Sequence, residues 1–197
     1  MTADDNDRSK VYIALLHHPV YNRNREVVTS AITNLDIHDI ARTARTYSLA
    51  GYFIVTPDLQ QQDLAEKIIN HWLEGYGSKY NFARGSALKL VKVLTCLNDV
   101  IETVKKEQGV VPDIFGTTAS PEESLETKLI TIGKARKLFE KGTPSVIIFG
   151  TGWGLAENVL SQSDYILPPI NGSETYNHLS VRAAAAIIID RLFGNDL

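Results

Sequence analysis

The chain alternates short, wholly apolar runs with longer stretches in which apolar residues recur every three or four positions. Val11–Leu16 (VYIALL) is the first apolar run, and a run of that length beside turn residues suits a buried strand. Pro19 closes it. From Thr33 to Ala50, Ile37, Ile40, Ala41, Ala44 and Leu49 keep helical spacing, with Asp36 as N-cap and Gly51 as terminator. Tyr52–Thr56 (YFIVT) reads as a second strand, and strand–helix–strand in this order predicts a βαβ unit of a parallel sheet.

Residues 58–109 read as helical. A stripe of Leu64, Ile68, Ile69, Trp72 and Leu73 is broken at Gly75–Tyr80; a second runs through Leu88, Val91, Leu94, Thr95, Asn98 and Ile101 to Gly109. Val110–Thr117 predicts a strand, Ser120 caps a helix opening at Pro121, and Ile130–Glu140 is a further helix. In the last quarter, Val146–Phe149 runs into a loop with glycines at 150, 152 and 154. Tyr165–Leu167 stops at Pro168-Pro169, which lack the N–H a central ladder needs. A polar turn from Asn171 to Asn177 leads into an alanine-rich helix. The picture is α/β: five or six parallel strands with intervening helices.

Composition adds bounds. The 197 residues, 44% hydrophobic and 22% charged, suit one globular domain over residues 11–197 behind a polar, flexible tail at 1–10. A net charge of −3 argues against nucleic-acid binding by bulk charge, so any RNA contact must come from a local patch. The single Cys96 excludes an internal disulfide framework and fits a reducing compartment. No apolar stretch approaches the roughly 20 residues of a membrane span, and the start does not resemble a signal peptide. A cytoplasmic, membrane-free protein is expected. His17 and His18, being adjacent, share neither a helix face nor a strand face, and no metal site is expected; the loop from His17 to Tyr21 either lines a pocket or packs structurally.

The glycine loop fails two nucleotide-binding patterns. A P-loop requires lysine and then Ser or Thr after its last glycine, whereas Leu155 follows Gly154. A dinucleotide fingerprint requires G-x-G-x-x-G in the first βα turn; here the spacing is G-x-G-x-G, near the end of the chain. Three segments together, the Gly150–Leu155 loop, Ile166–Ile170 (ILPPI) and Leu179–Ala186 (LSVRAAAA), resemble the knotted SPOUT-class RNA methyltransferases. The run Ile40–Thr46 (IARTART) resembles the first motif of the same family, so the resemblance covers the whole chain.

The resemblance implies an α/β fold: a parallel sheet with helices on both faces and a C-terminal deep trefoil knot. It implies S-adenosylmethionine as cofactor, a tRNA or rRNA substrate, and a homodimer whose sites are completed across the interface. The cofactor would meet Thr118, then Phe149, Gly150, Thr151, Gly152, Trp153 and Gly154, then Ile166, Leu167, Pro168, Pro169 and Ile170, and finally Tyr176, Leu179 and Ser180. In this reading Gly150 and Gly152 lie against the cofactor, where a Cβ would clash. The family's catalytic arginine falls on Arg42, and its asparagine six residues earlier is Asp36 here. Asp36, Glu174 and His178 are the candidate bases, and Asn177 belongs with them as a polar contact. The Ser173–Ser180 segment differs from the ribose-methylating form by one extra residue, and Arg182 interrupts the alanine run. Guanine N1 is therefore the expected acceptor, with a ribose 2′-hydroxyl as the alternative.

Plainer readings stand beside these. Arg42 and Arg45, three apart, also suit a solvated helix face. Gly75–Tyr80, with Arg84, Lys89 and Lys92 behind it, is either an RNA-stacking element or a polar linker. Trp153 is a rim residue, a dimer contact or a buried structural tryptophan. The last helix serves an interface or the core. A knotted RNA-binding or assembly factor that holds the cofactor without turnover is the competing function, and a small-molecule nucleotide-binding α/β protein is a weaker third.

Overall fold

In the computed structural model, which describes residues 8–173 and 176–195 (backbone alone at Ser78 and Lys79), six parallel strands form the sheet. The chain runs β1 (Val11–Leu16), β2 (Val20–Tyr21), β3 (Val27–Val28), α1 (Asn34–Thr46), β4 (Gly51–Val55) and α2 (Leu59–Leu73). Next come α3 (Tyr76–Tyr80), α4 (Phe82–Leu88), β5 (Val91–Leu94), α5 (Leu97–Gln108), β6 (Asp113–Thr117) and a 3-10 turn (Glu123–Lys128). The last part is α6 (Ile132–Phe139), β7 (Ser145–Gly150), α7 (Glu157–Leu160), β8 (Tyr165–Leu167) and α8 (Val181–Phe193).

The sheet order is β5-β4-β1-β7-β6-β8, while β2 and β3 pair separately as a small antiparallel hairpin. All six residues of β1 are buried, because neighbours flank it on both edges and helices cover both faces. A doubly covered strand needs no polar alternation, which is why VYIALL reads as unbroken apolar sequence. Ile13, Leu15, Ile54, Ile147 and Phe149 face α1, α2, α4, α6 and α8. Tyr12, Ala14, Leu16, Phe53 and Ile148 face α5, the 3-10 turn and α7. Helices on both faces are as expected.

The order reverses between β1 and β7. The chain leaves β1 for β4 and β5 on one side, and leaves β7 for β8 on the other. In open parallel sheets that reversal opens a crevice at the carboxyl ends of the strands. Leu16 and Gly150 are register partners, so both loops leave at one level.

Several boundaries differ from expectation. Val91–Leu94 is an edge strand on β4 rather than part of a long helix, and α5 starts only at Leu97. The VKVL alternation fits a half-covered edge, and Asp99 accepts the Cys96 N–H at 3.1 Å to cap the later helix start. The segment after Pro121 forms a 3-10 turn with no side-chain cap, so Ser120 does not start an α-helix. Thr33, not Asp36, caps α1: its Oγ1 accepts from Asp36 N at 3.1 Å, leaving the Asp36 carboxylate free for another partner. Residues 1–7 of the expected tail lie outside the described residues; Lys10 O accepts from Ser145 N at 3.0 Å.

Leu15→Ala should lower the unfolding free energy by about 2–5 kcal/mol in urea titrations, as deletions in filled cores do. Leu35→Ala, at an exposed position of α1, should change it by about 0.5 kcal/mol or less.

Candidate functional site

Loops from four strand ends converge on a cavity of about 1050 Å³. Those after β1 (Tyr21 to Asp36), β6 (Thr117 to Leu125), β7 (Phe149 to Leu160) and β8 (Ile170 to Ile188) all contribute to its walls. The glycine loop is zipped against β2: Tyr21 N donates to Gly154 O at 2.9 Å and Trp153 N to Tyr21 O at 2.9 Å. Close packing accounts for two of the glycines, Gly150 within its own loop and Gly152 against β2. A Cβ on Gly150 would sit 2.6 Å from Leu155 N, and one on Gly152, at φ 60°, would sit 2.8 Å from Tyr21 O. Both line the cavity, and in both cases another stretch of the same chain already leaves no room for a side chain.

Asp36 lies almost fully buried at the cavity wall. One carboxylate oxygen accepts from Thr33 Oγ1 at 2.6 Å and the other from Arg182 Nη1 at 2.9 Å. Arg182 Nε also lies 3.4 Å from Asp39 Oδ2. Two features that interrupt the family pattern, an aspartate in the first motif and an arginine in the alanine run, are therefore partners across 146 positions. The pair ties the first turn of α1 to the first turn of α8. Ser180 caps α8, its Oγ accepting from Ala183 N at 3.3 Å.

Beneath the glycine loop, His17 is fully buried. Its Nδ1 is hydrogen-bonded to Ser30 Oγ at 3.0 Å, and Ser30 is in turn hydrogen-bonded to Thr151, while Nε2 has no partner. Burial holds the imidazole neutral, pushing its pKa down to about 4 despite the nearby Asp36 charge. The chain His17–Ser30–Thr151 fixes the base of the glycine loop to the loop after β1.

The expected site residues divide. Asp36, Asn177, His178, Thr118, Phe149, Gly150, Thr151, Gly152, Trp153, Gly154, Ile170, Leu179 and Ser180 all line the cavity. Ile166 and Leu167 do not; strand alternation sends them into the two opposite cores, where both are fully buried. Pro168 and Pro169 end β8 without lining the space, and exposed Tyr176 packs edge-on to His178 at 5.4 Å. Trp153 is 60% exposed, which removes the buried structural reading. Arg42 is exposed on α1 and outside the lining, and Glu174 lies outside the described residues. Asn177 Nδ2 donates to Ala119 O at 3.0 Å, joining the last loop to the loop after β6. Tyr21 bears out the pocket-lining reading of the His17–Tyr21 loop, while sequence reading missed Arg25, Ser30, Thr33, Glu122 and Glu157. Only the Arg182 interruption carried a signal; the others sit in polar loops with no motif.

The model of a family described as SAM-dependent RNA methyltransferases matches residues 10–194. The chain belongs to this family. A tRNA (guanine-N(1)-)-methyltransferase of Oleidesulfovibrio alaskensis is 41% identical over 187 residues, 95% of this chain and 43% of that protein. An uncharacterized protein of Aquifex aeolicus is 38% identical over 94% of this chain and 89% of its own length. The chain thus spans less than half of the first relative and nearly all of the second. Among solved structures, TrmJ from Z. mobilis ZM4 has TM-score 0.62 at 13% identity, over 94% of this chain and 69% of that one. The SpoU methyltransferase AviRb from Streptomyces viridochromogenes, in complex with AdoMet, has TM-score 0.57 at 16% identity, over 98% of this chain and 62% of that one. The fold is that of the SPOUT-class methyltransferases.

The lining of the cavity fits S-adenosylmethionine. Phe149, Ile170, Leu179, Val181 and Ile188 offer an apolar wall, while Thr118, Asn177 and loop backbone offer hydrogen-bonding groups. Glu157, without an ion-pair partner among the described residues, adds negative charge that suits a cationic sulfonium. No cluster of described residues could hold a metal ion, and no described helix is long and apolar enough to cross a membrane.

A double-mutant cycle on Asp36→Asn and Arg182→Gln should give a coupling between about 0.5 and 3 kcal/mol in urea unfolding; a value near zero would show that the pair ties nothing together. His17 sets a pH dependence. Unfolded, it takes up a proton near pH 6.5; folded, only near 4. Between those values the unfolded state binds more protons, so stability falls as pH drops from about 6.5 to about 4, by up to about 3 kcal/mol. His17→Gln should flatten the difference between unfolding curves at pH 7 and pH 4.5.

Proposed function

We propose that the cavity binds S-adenosylmethionine together with one nucleotide of a folded RNA, and that this chain methylates that nucleotide. One observation carries the reading: about 1050 Å³ of space walled by the glycine loop and the segment after β8. Small-molecule pockets hold roughly 300–1,000 Å³, so cofactor and acceptor fit side by side. When bound, the cofactor supplies an electrophilic methyl group on a sulfonium.

The residues do the rest. Phe149, Ile170 and Leu179 exclude water from the methyl path, and Thr118 and Asn177 orient the cofactor's polar edges. Pro168 and Pro169 hold the chain extended, so that backbone groups beside them stay available to the adenine. His178 lines the cavity and has no hydrogen-bond partner among the described residues, so its imidazole takes the acceptor's proton. Asp36 already has both oxygens engaged; its role is to aim the Arg182 guanidinium at the acceptor's phosphate. Arg42 reaches the cavity of a second copy, in a homodimer that completes each site. Exposed Arg42 and Trp153 are in keeping with that arrangement.

The segment from β8 to α8 is proposed to pass through the loop after β6 as a deep trefoil knot. The Asn177–Ala119 bond and the Ile130 N to Ile166 O bond, at 3.0 Å each, are consistent with that threading. A crystallographic trace with residues 165–180 lying beside that loop would remove the knot. Cytoplasmic tRNA is the proposed substrate and guanine N1 the proposed acceptor, on the strength of the longer relative's activity. The 43% and 89% coverages favour a second reading, in which guanine N1 chemistry belongs to the rest of the longer protein. This module then methylates a different position, a ribose 2′-hydroxyl.

The test is incubation with methyl-labelled S-adenosylmethionine and unmodified bulk tRNA or rRNA, followed by nucleoside analysis. Labelled 1-methylguanosine supports the first reading and a labelled 2′-O-methylnucleoside the second. Cofactor binding without any incorporation leaves a non-catalytic RNA-binding factor. Arg42→Ala should abolish incorporation while cofactor affinity stays nearly constant; equal activity would take Arg42 out of the reaction.

A further inference from the structure

Outside the cavity, α2, α3 and α4 build a second surface. Trp72 is its centre: the Arg84 guanidinium lies 4.4 Å from the ring centroid, and the His38 and His71 rings meet it edge-on at 5.6 and 5.4 Å. Gly77 runs so close over the indole that a Cβ there would sit 2.7 Å from Trp72 Cε3. Trp72 is thus covered, and serves as the support that holds Arg84 flat. Around it Tyr76, Tyr80 and Phe82 are 77%, 78% and 82% exposed. Tyr76 and Tyr80 are one helical turn apart and share a face.

Charge distinguishes this patch from an ordinary sticky surface. Burial disfavours protonation of His38, the Arg84 and Arg42 charges add to this and Asp39 opposes it; neither arginine forms an ion pair among the described residues. In a chain of net charge −3, an unpaired Arg84 among three bared aromatic rings forms a local cationic stacking surface. Single-stranded RNA supplies both complements at once, since its phosphates pair with the guanidinium and its unpaired bases stack on the rings. Helix α1 links this surface to the cavity. Asp36 lines the cavity, Arg182 bridges Asp36 and Asp39, and His38 and Arg42 lie further along the same helix. Asp36 and Arg42 are roughly 9 Å apart along the helix axis at 1.5 Å per residue.

We infer that the α2–α4 surface binds the single-stranded RNA flanking the acceptor nucleotide, with Tyr80 and Phe82 stacking bases and Arg84 holding phosphate. The inference rests on the proposed RNA substrate. The test measures anisotropy of a fluorescein-labelled single-stranded RNA of about 12 nucleotides titrated with full chain, at low and moderate salt. Tyr80→Ala with Phe82→Ala should weaken binding by roughly ten- to a hundredfold, leaving S-adenosylmethionine affinity unchanged. Arg84→Gln should weaken binding and lower its salt dependence, while Val110→Ala, at an exposed position just after α5, should do neither.

Tight wild-type binding that the double variant retains would overturn this surface and leave the RNA reading intact. No binding by the wild type would also overturn this surface, while the folded-RNA reading stands or falls on the methyl-labelling experiment. Loss of a dimer in sedimentation, with RNA affinity unchanged, would reassign the patch to a second copy of the chain.

Discussion

The parallel pairing of β1 with β7 is the constraint on which the site depends. These strands come from residues 11–16 and 145–150, and their register makes Leu16 and Gly150 partners. Because the strands are parallel and end together, the loops that follow them must emerge side by side. Thr151 Oγ1 donates to Leu16 O at 3.3 Å, and Tyr21 grips the glycine loop through two backbone bonds. Connections leave this centre in opposite directions, so no helix covers the carboxyl ends of the strands, and the cavity forms there.

Within that frame, Asp36 and Arg182 are a matched pair of changes. An aspartate buried alone at a cavity wall would be costly, as would an arginine inside an alanine run packed on a core. Together, with Thr33 donating to the second oxygen, they satisfy one another. The capping work is left to Thr33, whose side chain is short enough to reach the N–H of Asp36. A charge that looks like a departure in one motif is thus explained by a residue 146 positions away.

Much of the architecture was legible. β1 and β8 occupy their expected residues, and β4, β7, α1 and α8 fall within a few residues of expectation, because these elements are buried and apolar or strictly periodic. The misreadings share one cause. Val91–Leu94 is short and half-buried, and a run of four residues carries too little periodicity to separate strand from helix; its pairing with β4 decided the matter. The β2–β3 hairpin is two residues per strand and leaves no pattern at all. At the site, the glycine loop and the segment after β8 were readable as motifs. The loop after β1 was legible only at its start, where His17–Tyr21 was one of two open readings; Arg25 and Ser30 sit in polar sequence that resembles any surface turn.

The sequence by itself determined the α/β class, the buried centre of the sheet and the family, since these depend on local periodicity and on motifs of a few contiguous residues. Only the tertiary structure decided which motif residues face the cavity. Ile166 and Leu167 belong to the ILPPI motif yet point into two different cores, because strand alternation and coverage of both faces leave them no other direction. It also decided that Gly150 and Gly152 answer to Leu155 and Tyr21, and that Arg182 answers to Asp36. Such relations are contacts between distant stretches of chain, and no window of sequence contains both partners.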